Sequence, residues 1–135
     1  MILKIAVGIV WRRGEGGPQV LVARRLDDAA HAAGLREFPG GKVEAGETPL
    51  ECAAREVLEE TGLQVLVEAP YAVIRWQYPE REIEMHAFDC SVLGGQARAI
   101  ESKEIVWLAA RELQAREFPR ANRKLIEEIQ SRHAS

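Results

Sequence analysis

Cysteine is scarce in this sequence. The two present, Cys52 and Cys90, have no metal-ligand spacing, which argues against a cysteine-ligated metal centre. No charged, apolar and cleavage segments appear in secretory order, so reduced thiols in a cytoplasmic protein are expected. Long apolar runs are missing too. The most apolar stretch near the start, residues 5–11, is far too short to cross a bilayer. Charge of one sign is not in excess. Eighteen Lys and Arg stand against 21 Asp and Glu, for a net charge of −3. That balance argues against a nucleic-acid polymer as partner and against a polybasic membrane anchor. Repeats, linkers and low-complexity segments are also absent. What remains is 135 residues, 47% hydrophobic and 29% charged. Such a chain can bury one core without staples and reads as a single domain over residues 1–135.

The near-neutral total hides an acidic knot. Residues 41–63 hold Glu44, Glu47, Glu51, Glu56, Glu59 and Glu60 but only Lys42 and Arg55 as bases. A helix is predicted over 49–61. Thr48 can cap it, Pro49 suits its first position, Glu51 completes a capping box, and Gly62 suits a left-handed stop. Leu50, Ala54, Val57 and Leu58 share one side and are expected to face the core. Glu56, Glu59 and Glu60, spaced i, i+3, i+4, fall on another side. Like charges at these spacings cost roughly 0.2–0.5 kcal/mol per pair, and all three lie toward the negative end of the helix dipole. Carboxylates gathered against both effects suit a hard divalent cation with oxygen ligands. Arg55 adjoins them and can hold one carboxylate by a bidentate contact. The glycines at 40 and 41 allow a close backbone turn, so a carbonyl oxygen there can join the ligands. The Gly41-Lys42 pair is not a Walker A loop, since Arg36 stands at its first glycine position and Val43 at its Ser or Thr position. Gly14, Gly16 and Gly17 form a hairpin turn rather than a dinucleotide fingerprint.

Around this helix the pattern predicts an α/β fold with a mixed sheet. Strands are expected at 5–11 and 19–23, joined by a glycine-rich turn. Residues 26–35 read as a short helix or an open loop, and residues 38–41 as a turn. A long hairpin is expected from 65–77 and 81–92, with Pro70 as a possible interruption. A short strand follows at 104–108, a helical turn at 113–116, and an amphipathic helix at 122–133 with Leu125, Ile126 and Ile129 inward. His31, His86 and His133 share no ligand spacing. Cys52 reads as a small buried residue rather than a nucleophile.

Gly41, five residues, Glu47, seven residues, then Arg55-Glu56-Val57-Leu58-Glu59-Glu60-Thr61-Gly62-Leu63 fills every fixed position of G-x5-E-x7-R-E-U-x-E-E-x-G-U, with U aliphatic. This segment resembles the signature box of the Nudix hydrolases. Chance would fill it about once in a billion starting points at average composition. The likeness extends through residues 5–10, 23–25, 37–42, 107–108 and 118–122 and is nearest to MutT-type 8-oxo-dGTP diphosphatases. It implies an α/β/α sandwich around a mixed sheet, and Mg²⁺- or Mn²⁺-dependent hydrolysis at the β-phosphorus, giving a nucleoside monophosphate and pyrophosphate. By matching position it implies Glu56, Glu59, Glu60 and the Gly40 carbonyl as metal ligands, Arg55 orienting Glu56, and Glu47 supporting the box or adding a water-mediated metal contact. Glu101 matches a further acidic residue near the metals. Either of two roles suits Lys42 and Arg25: neutralising phosphate oxygens, or solvated surface charge. Asn122 matches the asparagine that reads the oxidised guanine, and Phe38 a residue lining the base pocket. Asn122 also suits a helix N-cap. Trp76 and Tyr78 suit either stacking or packing.

Three alternatives remain in view. One is a Nudix enzyme for CTP or dCTP derivatives, some of which carry Asp at the Asn122 position. Another is a catalytically silent base-binding Nudix domain, which usually loses box glutamates that this chain keeps. A calcium-binding role fits poorly, because no EF-hand loop is present. A monomer is expected, with a dimer left open.

Overall fold

The computed structural model describes residues 1–28 and 33–133. The reading of residues 26–35 as a short helix or loop falls partly outside them, and His31 lies outside them altogether. The described elements are β1 (Ile2–Gly14), β2 (Gly17–Arg24), β3 (Arg36–Glu37), β4 (Gly40–Lys42), α1 (Pro49–Thr61), β5 (Gln64–Gln77), β6 (Glu82–Gly94), β7 (Glu104–Ala109) and α2 (Arg120–Arg132), with 3₁₀ turns at Ala110–Glu112 and Ala115–Glu117.

The sheet runs β3-β2-β1-β6-β5, with β4 also paired to β1 and β7 to β2. β1 and β6 are parallel and the other pairs antiparallel. Alternate residues of β1 enter opposite cores. Val7 and Ile9 join Phe38, Met85, Phe118, Leu125, Ile126 and Ile129 on the α2 face. Ala6 and Val10 join Cys52, Ala53, Val57 and Cys90 on the α1 face. The result is the expected α/β/α sandwich.

α1 runs over the predicted residues. The Thr48 hydroxyl accepts from the Glu51 N–H at 3.1 Å, and the Glu51 carboxylate accepts from the Thr48 N–H at 2.9 Å. Gly62 closes the helix at φ +78°, where a side chain would be strained. The buried face differs from the expectation, however. Val57 is buried as expected, but Leu50 and Leu58 are 44% and 50% exposed and Ala54 is half-buried, while Cys52, Ala53 and Thr61 are buried. Small residues win the core side because the helix lies close on β1. A Cβ placed at Gly8 would come within 2.7 Å of Val57 Cγ2.

Other boundaries moved as well. β1 runs past residues 5–11 at both ends, because Ile2, Leu3 and Lys4 pair with β6 and Arg12, Arg13 and Gly14 pair with β2. The expected turn at 38–41 is a bend between β3 and β4, which pair with β2 and β1. At Pro70 the β5–β6 register shifts rather than breaks. The helical turn expected at 113–116 is replaced by the two 3₁₀ turns, with Leu113 buried between them. α2 starts two residues before its expected position, with Pro119 at the N-cap.

Candidate functional site

The acidic face of α1 is organised by one guanidinium. Arg55 Nε donates to Glu47 Oε2 at 2.7 Å and Nη2 to Glu47 Oε1 at 3.0 Å, a bidentate contact. Nη1 donates to Glu56 Oε1 at 2.8 Å and to Glu59 Oε2 at 3.1 Å. Glu44 lies 3.6 Å from Nη2. Hydrogen bonds from Arg55 and from the Glu44 N–H hold the Glu47 carboxyl down to about 2. The same Glu47 contact, with Glu56 behind it, raises Arg55 above its already high ordinary value. Glu47 is thereby fixed as a support for Arg55.

Glu60 turns the other way, into the sheet. Its Oε2 accepts from the Gly40 N–H at 2.8 Å. Burial, with Glu37, Glu56 and Glu101 as like charges, pushes its carboxyl up to about 9. Burial also raises Glu56, despite Arg55, and Glu59 and Glu101 add to the rise. Gly41 is tied to this geometry. A Cβ there would lie 2.7–2.8 Å from the Glu56 carboxylate. Glu101 reaches the group from the 95–103 segment, which is fastened to the end of α1 by Arg98 N–H to Thr61 C=O (2.8 Å) and Ile100 N–H to Glu60 C=O (3.2 Å).

Among the described residues no three His, Cys, Asp or Glu side chains form a group that could hold a metal ion as they stand. The physical reason is visible. Glu56 and Glu59 are drawn to Arg55, and Glu60 to the Gly40 N–H. The donor set still fits a hard cation. Glu56, Glu60 and Glu101 act on one another as like charges, and each offers a free carboxylate oxygen to an oxygen-seeking ion. These residues would hold it, with Glu59 able to swing in from its exposed position.

Sequence reasoning missed Glu37. The β2–β3 register sets it opposite Ala23, where it accepts from Arg25 Nη1 at 2.8 Å. Burial raises its carboxyl even so. Its only sequence signal was its place before Phe38-Pro39-Gly40-Gly41. Arg25 is engaged by Glu37 rather than simply solvated, whereas Lys42 is exposed.

Phe38 needs correcting as a residue whose side chain lines a base pocket. It is 2% exposed and stacks on Phe118, ring centroids 5.3 Å apart, so its face is already covered. Its backbone N–H and C=O make no hydrogen bond among the described residues, and these are what it can offer a ligand. Asn122 is not the helix cap. It is the third residue of α2, 7% exposed, and its side-chain amide makes no hydrogen bond among the described residues. The residue is nearly buried, but its amide atoms are not among the buried side-chain atoms that lack a partner, so they still reach solvent and can meet a ligand. Tyr78 meets the same helix, its hydroxyl oxygen accepting from the Ala121 N–H at 3.1 Å. His86 bonds Glu84 at 2.8 Å, and the His133 ring packs at a tilt against Trp11, ring centroids 4.4 Å apart. A cavity of about 620 Å³ lined by Trp11, Pro18, Arg111, Gln130 and His133 contains none of the candidate residues.

The NUDIX domain family matches residues 2–129. The chain is 37% identical over 128 residues to an 8-oxo-dGTP diphosphatase of Haemophilus influenzae, covering 95% of this chain and 91% of that protein. It is 34% identical over 127 residues to the Escherichia coli 8-oxo-dGTP diphosphatase, covering 94% and 95%. It is also 31% identical over 120 residues to the E. coli CTP pyrophosphohydrolase, covering 89% and 84%. In structure it resembles the MutT protein of Methanosarcina mazei Go1, at TM-score 0.82 and 23% identity, over 99% of this chain and 96% of that one.

Proposed function

The chain belongs to the Nudix hydrolase family, and from that premise we propose that it is a Mg²⁺- or Mn²⁺-dependent pyrophosphohydrolase that clears oxidised purine nucleoside triphosphates from the cytoplasmic nucleotide pool. The preferred substrate is 8-oxo-dGTP, cleaved by water to 8-oxo-dGMP and pyrophosphate. The observation that carries the reading is the Arg55 clamp, which gathers Glu47, Glu56 and Glu59 on one helix face while Glu60 sits on the Gly40 N–H. Glu56, Glu59, Glu60, Glu101 and the Gly40 carbonyl are the metal ligands in this reading. A divalent cation bound there neutralises phosphoryl charge and makes water a better nucleophile at neutral pH. Arg55 orients Glu56, and Glu47 holds Arg55. Arg25, aimed by Glu37, and Lys42 neutralise phosphate oxygens. Asn122, as donor and acceptor on one side chain, pairs with the base edge beside the free Phe38 backbone groups.

The test is kcat/KM for 8-oxo-dGTP, dGTP and CTP in wild type and Asn122→Ala. Wild type should prefer 8-oxo-dGTP. The variant should lose that preference by roughly 1–3 kcal/mol of discrimination, since one partner of a buried polar pair is removed. Preference for CTP in wild type would overturn the purine reading and leave the hydrolase assignment standing.

A further inference from the structure

α2 starts without a side-chain cap of its own. Pro119, at the N-cap, has none to offer. The first N–H groups of a helix have no partner within it, and here the Ala121 N–H is taken by a residue 43 positions earlier, the Tyr78 hydroxyl oxygen at 3.1 Å. Tyr78 is itself well held. Its N–H donates to Arg81 C=O at 2.8 Å and its C=O accepts from the Arg81 N–H at 3.3 Å, closing the tip of the β5–β6 hairpin. Its ring meets the edge of Trp76 and packs against the α2-side core. The hairpin tip is thus pinned to the first turn of α2, one residue before Asn122. The Asn122 amide has no hydrogen bond of its own among the described residues, so its aim is set by the backbone that carries it.

We propose that Tyr78 is a positioning residue for nucleobase recognition. Its hydroxyl fixes the first turn of α2 and so aims the Asn122 amide at the base edge. This rests on Asn122 reading the base, and it assigns the hydroxyl a role beyond packing. Hydrogen-bond recognition tolerates displacements of only about 0.5 Å. A first turn released from the hairpin loses that precision, while α1 and its carboxylates are untouched.

The experiment compares Tyr78→Phe, Asn122→Ala and the double variant on 8-oxo-dGTP and dGTP with Mg²⁺. Tyr78→Phe keeps the ring and removes only the hydroxyl. Its preference for 8-oxo-dGTP should fall about fivefold, the worth of one ordinary hydrogen bond, through KM and with kcat within about twofold. In the Asn122→Ala background the same change should leave the ratio unaltered, because the two act as one unit. A merely structural cap would lower the melting temperature and affect both substrates alike. An unchanged ratio in Tyr78→Phe, alongside a reduced one in Asn122→Ala, overturns the positioning role and spares the base reading. An undiminished effect of Tyr78→Phe in the double variant overturns it too. An unchanged ratio in Asn122→Ala removes the base reading, and this proposal with it.

Discussion

Arg55 spends its guanidinium on three carboxylates, two contacts to Glu47 and one each to Glu56 and Glu59. A lysine can keep the charge but not this planar fork. Arg55→Lys is therefore expected to behave much like Arg55→Ala, losing kcat while folding normally. Glu56→Gln should cost more, roughly 10²–10⁴-fold in kcat, as expected when a group that handles the reacting water or its ligands loses its charge. Steady-state kinetics at saturating Mg²⁺, beside a melting curve, separate lost chemistry from lost fold. Glu56, Glu59 and Glu60 stood out in the sequence because their spacing is locally unfavourable. Glu37 was not, because its place beside Arg25 depends on β2–β3 pairing. For Asn122 the residue alone favoured a helix cap, and the surrounding Phe118-Pro119 match favoured base reading. The described helix start removes the cap by placing Pro119 there.

At the scale of elements, α1 was readable at both ends because caps are local chemistry, the Thr48–Glu51 box and Gly62. Its buried face was not. Side-chain apolarity favoured Leu50 and Leu58, whereas contact distance to β1 favoured Cys52 and Ala53 beside the expected Val57. The short strands β3 and β4 were invisible for a related reason, since backbone pairing rather than alternating side chains defines them. Two glycines test how the helix is seated. At Gly8 an added Cβ meets Val57 at 2.7 Å in the core. Gly8→Ala should therefore lose about 1–3 kcal/mol of stability as α1 is pushed outward. At Gly41 the added Cβ meets the flexible end of Glu56. Gly41→Ala should melt close to wild type yet lose activity, because Glu56 must give way. Equal thermal losses in the two variants, measured by calorimetry, would contradict this division between core and site.

Across the whole molecule the carboxylates pull stability in opposite directions with pH. Glu60 titrates near 4.5 when unfolded and at about 9 when folded. Between those values the folded chain holds a proton that the unfolded chain has released. Its contribution is therefore fully present below about 4.5 and lost as pH rises toward 9. Glu56 and Glu37, both raised first by burial, act in the same sense. Glu47, held to about 2 by Arg55, and Glu84, lowered first by its hydrogen bond with His86, act oppositely. Their contribution is present above about 4.5 and lost as pH falls below it. The metal-free protein should accordingly be most stable in mildly acid solution and weaken on the alkaline side. A divalent cation needs its carboxylates ionised, so it should oppose the alkaline decline and leave the acid limb alone. In EDTA, the melting temperature is expected to fall by about 3–5 °C or more between pH 6 and 8.5, the shift that ~1 kcal/mol produces in a domain of this size. Added Mg²⁺ should flatten the decline. Glu60→Gln, which keeps an acceptor for the Gly40 N–H but cannot ionise, should flatten it without metal and melt above wild type at pH 8.5. A metal-free melting temperature that stays level from pH 6 to 8.5 would falsify the buried, proton-holding state of Glu60.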